Sequence, residues 1–146
     1  MKTLLSLTGA MALAASAALA QDAPSGDPAA GESLFNRCSA CHVIQNGDET
    51  IAGRGRTGPN LYGLAGRQAG TVEDFNYGDS LVAAGEAGLE WNEENFVEYV
   101  ADPRGFLRDY LDDSGARSKM SFRMPDEQDA KDVWAYLAQY GDEESM

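Results

Sequence analysis

A chain of 146 residues suits a single domain, and 24 acidic against 11 basic side chains give it a formal charge of −13. That balance excludes nucleic acid and anionic membrane surfaces as charge-driven partners. One histidine and two cysteines cannot supply the four nitrogen or sulfur ligands of a structural zinc site.

The N-terminus reads MKTLLSLTGAMALAASAALA. Lys2 is a short positive n-region, Leu4 to Ala15 is apolar, and Ala18-Leu19-Ala20 is a small-x-small cleavage signal. The apolar run is shorter than the roughly 20 residues a bilayer requires. Residues 1–20 therefore read as a signal peptide, and residues 21–146 as one exported domain of 126 residues. The pattern points to the bacterial periplasm, and no later segment is apolar enough to span a membrane. Cleavage removes one lysine and no acid, leaving a charge of −14.

Asp27-Pro28 predicts a helix start, with Asp as N-cap and Pro at the first helical position. The helix runs through Gly31, Leu34 and Phe35 to Cys38, with Gly31 placed for close helix contact. RCSACHVIQ follows and holds both cysteines and the only histidine, as Cys38, Cys41 and His42. In an oxidising compartment two cysteines default to a disulfide, but a disulfide leaves the adjacent histidine unexplained. Thioredoxin-like motifs open a helix after a strand, whereas the residues before Cys38 read as helix. The spacing C-x-x-C-H is the attachment signature of c-type haem. Two thiols one helical turn apart can each add to a vinyl group of one porphyrin, and the next imidazole can bind its iron.

Residues 43–90 carry ten glycines and read as loops without strand alternation. So long a loopy stretch suits a domain whose core is completed by a bulky prosthetic group. WNEENFVEYVADP predicts a helix capped by Asn92 and ended at Asp102-Pro103, with a short helix following from Pro103. ARSKMSFRMPDEQ is a loop. The last helix opens at Asp126, carries Ala130, Val133, Trp134, Leu137 and Ala138 on one face, and ends at Gly141.

A haem iron held by His42 needs a sixth ligand, and its identity separates an electron carrier from a ligand binder or catalyst. Histidine is exhausted, so methionine is the natural candidate, since a thioether closes the site and raises the potential. Met146 sits in the acidic tail, which leaves Met120 and Met124, either of which could instead fill the core.

GESLFNRCSACHVI, TGPNLYGLAGR, SKMSF and DVWAYL, in that order, resemble class I cytochrome c and its cytochrome c2 branch, over nearly all of the exported domain. The resemblance implies an all-α fold of four to five helices, with long loops wrapped around one covalent haem c. It implies His42 and Met120 as axial ligands, since Lys119-Met120-Ser121-Phe122 matches the family's K-M-x-F. Pro59 matches the proline whose carbonyl accepts the imidazole's second hydrogen bond. Arg67, Tyr77 and Trp91 match residues that donate to a haem propionate, and Tyr99 matches a tyrosine whose hydroxyl reaches the methionine sulfur. The stretches His42 to Pro59 and Asp102 to Met120 are longer than in the mitochondrial pattern, as in cytochrome c2.

The implied function is a soluble one-electron carrier with no catalytic residues. It would accept electrons from a membrane cytochrome bc complex and deliver them to a photosynthetic reaction centre, an oxidase or a reductase. A peroxidase of the bacterial type would need a second haem motif, which the sequence lacks. A redox-inert subunit of a larger complex is a second alternative; solubility as a monomer and fast reduction by a small donor would argue against it. The position of the motif at Cys38 speaks against the cytochrome c′ branch, whose motif lies near the C-terminus of a four-helix bundle. Residues 37–70 and 103–124 hold nine bases against five acids, whereas the rest of the exported chain holds one lysine and nineteen acids. The expectation is a weakly positive docking face around the haem edge on an acidic body.

Overall fold

The computed structural model describes residues 23–141; the signal-peptide assignment and Met146 fall outside them. Five α-helices and one short hairpin follow in the order α1 (Pro28–Leu34), β1 (Val43–Asn46), β2 (Glu49–Gly53), α2 (Asp79–Glu86), α3 (Glu93–Ala101), α4 (Pro103–Leu111) and α5 (Glu127–Leu137). Four of the helices, α1, α3, α4 and α5, start where the sequence predicts. The Asp27 carboxylate accepts from the Ala29 amide, Asn92 from Asn95 and Asp126 from Asp129, each satisfying a donor that the first turn leaves open. Asp102 ends α3 and also caps α4, its carboxylate accepting from the Gly105 amide.

α1 is shorter than expected. It tightens into a 3-10 turn over Phe35–Arg37 before reaching Cys38, so the motif sits on a separate turn. α5 stops at Leu137, with Tyr140 closing one further turn onto the Leu137 carbonyl ahead of Gly141.

The segment read as all loop contains the hairpin and α2, which corrects that expectation. β1 and β2 pair antiparallel with a register shift between Ile44 and Gln45. Val43 and Ile44 are both buried, so the strand shows no alternation in sequence. Its two-residue turn begins at Gly47, whose φ of 57° is the left-handed conformation such a turn wants at its first position.

α1 packs along α5, and α5 against α3; α4 bridges α3 and α2. The α1–α5 contact is close because Gly31 has no side chain: a Cβ there would strike the Asp132 carbonyl on α5. Asp132 is the one buried charged residue among the described residues, and its carboxylate accepts from the Asp27 amide and from Gln128, both at 2.8 Å. Phe35, Ile44, Leu89, Leu107, Met124, Val133 and Leu137 are all at most 3% exposed. They pack on the inner faces of the helices, beside a large apolar cavity.

Candidate haem site

The cavity has a volume of about 370 Å³ and is lined by twenty-eight residues, drawn from the turn after α1, from α2 to α5 and from the loops between them. Cys38, Cys41 and His42 enter it from the turn that follows α1. The Cys41 amide donates to the Cys38 carbonyl at 3.1 Å and the His42 amide to the same carbonyl at 2.9 Å, so all three residues lie within one helical turn. Both thiols are free. Burial pushes the Cys38 thiol up to about 11 against the opposing pull of Arg37, which keeps it protonated at neutral pH.

The His42 ring is fixed on two sides. Nδ1 lies 2.8 Å from the Pro59 carbonyl, which can only accept, so Nδ1 carries the proton and the lone pair is on Nε2. Burial first, then the nearby Arg67 guanidinium, holds the imidazolium below its ordinary range, so the ring is neutral at pH 7. Nε2 has no hydrogen-bond partner among the described residues. On the other side lies Gly58: a Cβ there would stand within 2.7 Å of Nε2 and closer still to Cε1. The Gly58 amide in turn donates to the Cys41 carbonyl at 2.8 Å. Asn60 ties this loop to β1, its side chain accepting from the Gln45 amide at 3.0 Å and donating to the Gln45 carbonyl at 2.8 Å.

Met120 and Met124 both line the cavity. Met124 is 2% exposed and belongs to the core cluster, its amide bonded to the Val100 carbonyl of α3 at 2.7 Å. Met120 is only partly buried and packs against that cluster. Its loop is held by Ser118, whose hydroxyl donates to the Met120 carbonyl at 2.9 Å and lies 3.1 Å from its amide. Lys119 reaches across to the Asn76 carbonyl at 2.8 Å, its stem lying over Gly78. Phe122 is covered by the Arg37 guanidinium, 5.5 Å from the ring centre.

The remaining expected residues also line the cavity. Arg67 donates to the Tyr62 and Asn60 carbonyls at 3.0 and 3.1 Å, leaving part of its fork uncommitted. The Tyr77 oxygen accepts from the Val72 amide at 3.1 Å, so its own hydrogen is available, and burial raises its phenol above the usual range. Trp91 is 7% exposed, and its indole N–H has no partner among the described residues. Tyr99 stands edge-on to Trp91 with centroids 5.0 Å apart; its hydroxyl lies beside Ser118, two residues before Met120.

These residues fit a c-type haem. Two thiols and an uncommitted imidazole nitrogen converge on one apolar cavity, beside a glycine whose Cβ would fill the imidazole's place. Donors on Tyr77, Trp91 and Arg67 could meet carboxylates. Sequence reasoning singled out neither Gly58 nor Asn60, although both lie in the TGPN stretch that contains Pro59. It also left Ser118 and the Arg37–Phe122 contact unremarked, because neither residue type signals a role without a known neighbour.

No protein-family model matches the chain. It is 60% identical to cytochrome c-551 of Roseobacter denitrificans over 114 residues, 77% of this chain and 80% of that one. It is 53% identical to cytochrome c2 of Cereibacter sphaeroides over 131 residues, 88% and 90% of the two chains. The crystal structure of cytochrome c2 from Rhodobacter sphaeroides matches it with a TM-score of 0.78 at 52% identity, covering 80% of this chain and 98% of that one. An all-α fold with a large apolar cavity, and relatives this similar along most of their length, place the chain in the cytochrome c2 family of class I cytochromes c, which are electron carriers and not enzymes.

Proposed function

We propose that this protein is a soluble periplasmic one-electron carrier with one haem c, joined through thioethers to Cys38 and Cys41 and ligated by His42 and Met120. When bound, the haem supplies a metal that changes charge by one without making or breaking bonds in a substrate. The chain does the rest. Pro59 and Gly58 hold His42 neutral and in one orientation, so that Nε2 is a ready donor. Ser118 and Lys119 fix the loop that presents Met120. Tyr77, Trp91 and Arg67 would donate to the propionates, and Tyr99 would lie close to the Met120 sulfur. Leu64, Leu107 and Val133 exclude water from the cavity, which limits how much must reorganise when charge changes.

The observation that carries this reading is the convergence of Cys38, Cys41, the Pro59-bonded His42 and Met120 on one apolar cavity. Electrons would come from a membrane cytochrome bc complex and pass to a reaction centre, an oxidase or a reductase, through transient docking of a monomer by its basic residues. Production in a host that installs haem c tests it. The expected product lacks residues 1–20, gains the mass of one haem, and shows in its oxidised form the long-wavelength band of methionine–iron bonding. A product of unaltered peptide mass overturns the haem reading; loss of only the long-wavelength band overturns Met120.

A further inference from the structure

Asn60 stands between two groups that line the cavity without lining it itself. The carbonyl of the preceding residue, Pro59, takes the Nδ1 proton of His42 at 2.8 Å, and the Asn60 carbonyl takes a guanidinium hydrogen of Arg67 at 3.1 Å. The Asn60 side chain is committed to β1 and to its own loop. Oδ1 accepts from the Gln45 and Tyr62 amides, both at 3.0 Å, and Nδ2 donates to the Gln45 carbonyl at 2.8 Å. Both neighbours of Oδ1 are N–H groups and the neighbour of Nδ2 is a carbonyl, so one orientation of the amide satisfies all three. The Leu61 amide adds a bond to the Val43 carbonyl at 2.9 Å. An edge strand presents unpaired N–H and C=O groups. The Asn60 amide answers one of each on β1, as a peptide of a third strand would.

We propose that Asn60 is a positioning residue for the iron ligand, holding the Pro59 carbonyl on the His42 ring by fastening the loop to β1. The proposal rests on the haem reading above and deepens it. The residues on the near side of Asn60 cannot do this work. Pro59 has no N–H to give a strand, and Gly58 has no side chain, its amide being spent on the Cys41 carbonyl at 2.8 Å. Asn60 is the first residue after the imidazole's acceptor that can anchor it. His42 and Gln45 lie three residues apart and Pro59 and Asn60 are adjacent, so the two sets of bonds close one small ring. Opening the Gln45 side of that ring frees the Pro59 carbonyl to drift from Nδ1, and the imidazole loses the partner that fixes its orientation and its strength as a donor. Aspartate cannot substitute. It would keep both amides on one oxygen, but its second oxygen would face the Gln45 carbonyl, where the structure has a donor.

Hydrogen exchange at the His42 ring tests this. His42 is the only histidine, so its Nδ1–H gives a single signal in haem-loaded, reduced protein labelled with nitrogen-15 histidine. A proton held on a carbonyl exchanges with solvent only when that bond opens, locally or by global unfolding. In Asn60→Ala the Nδ1 proton should exchange at least several-fold faster than the variant's own loss of unfolding free energy accounts for. Asn60→Asp, which removes only the donor, should show the same excess to a lesser degree. Gly31→Ala, which disturbs the α1–α5 contact away from the loop, should change the exchange by no more than its stability loss requires. Exchange in both Asn60 variants that tracks their stability alone overturns the positioning role. The intact mass of the starting protein reports haem attachment separately, so that failure is distinct from failure of the haem reading.

Discussion

Two methionines four residues apart offer the same thioether, and their surroundings separate them. Met124 is locked into the core on α3, whereas Met120 sits half-buried on a loop fastened by Ser118 and Lys119. Truncating Met124 removes packing, so Met124→Ala should lower stability by about 2–5 kcal/mol and leave the long-wavelength absorption in place. Met120→Ala should abolish that absorption and lower the reduction potential by on the order of 100 mV, a fraction of the roughly 0.8 V range that axial ligands span. Denaturant unfolding and redox titration of the two variants decide the assignment. The residue types at this site were legible in the sequence because each has a distinctive chemistry: two thiols, one imidazole, one thioether in a K-M-x-F setting. Gly58 was not legible as a site residue, since its role is the absence of a side chain against a ring sixteen residues back in the chain's path. Tyr136, by contrast, bears on stability alone. Burial, with the Tyr140 hydroxyl beside it, pushes its phenol up to about 12. A raised folded value means that stability is whole below the ordinary tyrosine range near 10 and is lost as pH rises from there through about 12. Tyr136→Phe should flatten that decline in a pH series of unfolding curves.

At the scale of elements, the helices were readable where a cap and a periodic face coincide. Asp27-Pro28, Asn92 and Asp126 each announce a start, and each side chain makes the expected bond. The hairpin lacked such a signal. Val43 and Ile44 are both buried and a bulge shifts the register, so the period-2 pattern that marks a half-buried strand never forms. Only Asn46-Gly47-Asp48 hinted at the turn. α2 was hidden for another reason: its eight residues are mostly small, and its N-cap, Gly78, offers no side-chain oxygen. Close contact between α1 and α5 was legible through Gly31, although its partner was not. Because a Cβ at Gly31 meets backbone on α5 and cannot be relieved by a rotamer change, Gly31→Ala should cost about 1–3 kcal/mol. Chemical denaturation measures it; an unchanged midpoint would mean that α1 slides freely along α5.

At the scale of the whole molecule, charge separation would govern how this carrier meets the partners proposed for it. The sequence places nine bases in the two windows that hold the candidate ligands, but the fold engages some of them internally. Arg67 donates to two carbonyls, Arg37 pairs with Asp129 at 3.4 Å, and Arg123 pairs with Asp102 at 3.0 Å. Arg54, Arg56, Arg104, Arg108, Arg117 and Lys119 have no carboxylate partner among the described residues. Of these, Arg117 and Lys119 line the cavity beside Met120, so two bases without a carboxylate partner lie at the candidate haem edge although the chain as a whole is acidic. An acidic partner would then be steered to that edge, and steering acts on the rate of encounter more than on the final affinity. Screening weakens attraction between exposed charges once they are more than about 8 Å apart at physiological salt. Electron transfer to the natural acceptor should therefore slow as ionic strength rises. Arg117→Glu should reduce the low-salt rate several-fold and flatten its salt dependence, whereas Arg104→Glu, away from the cavity, should do less. Stopped-flow kinetics over a salt series make the comparison. A rate that climbs with salt would mean that the acidic body, and not the cavity mouth, faces the partner.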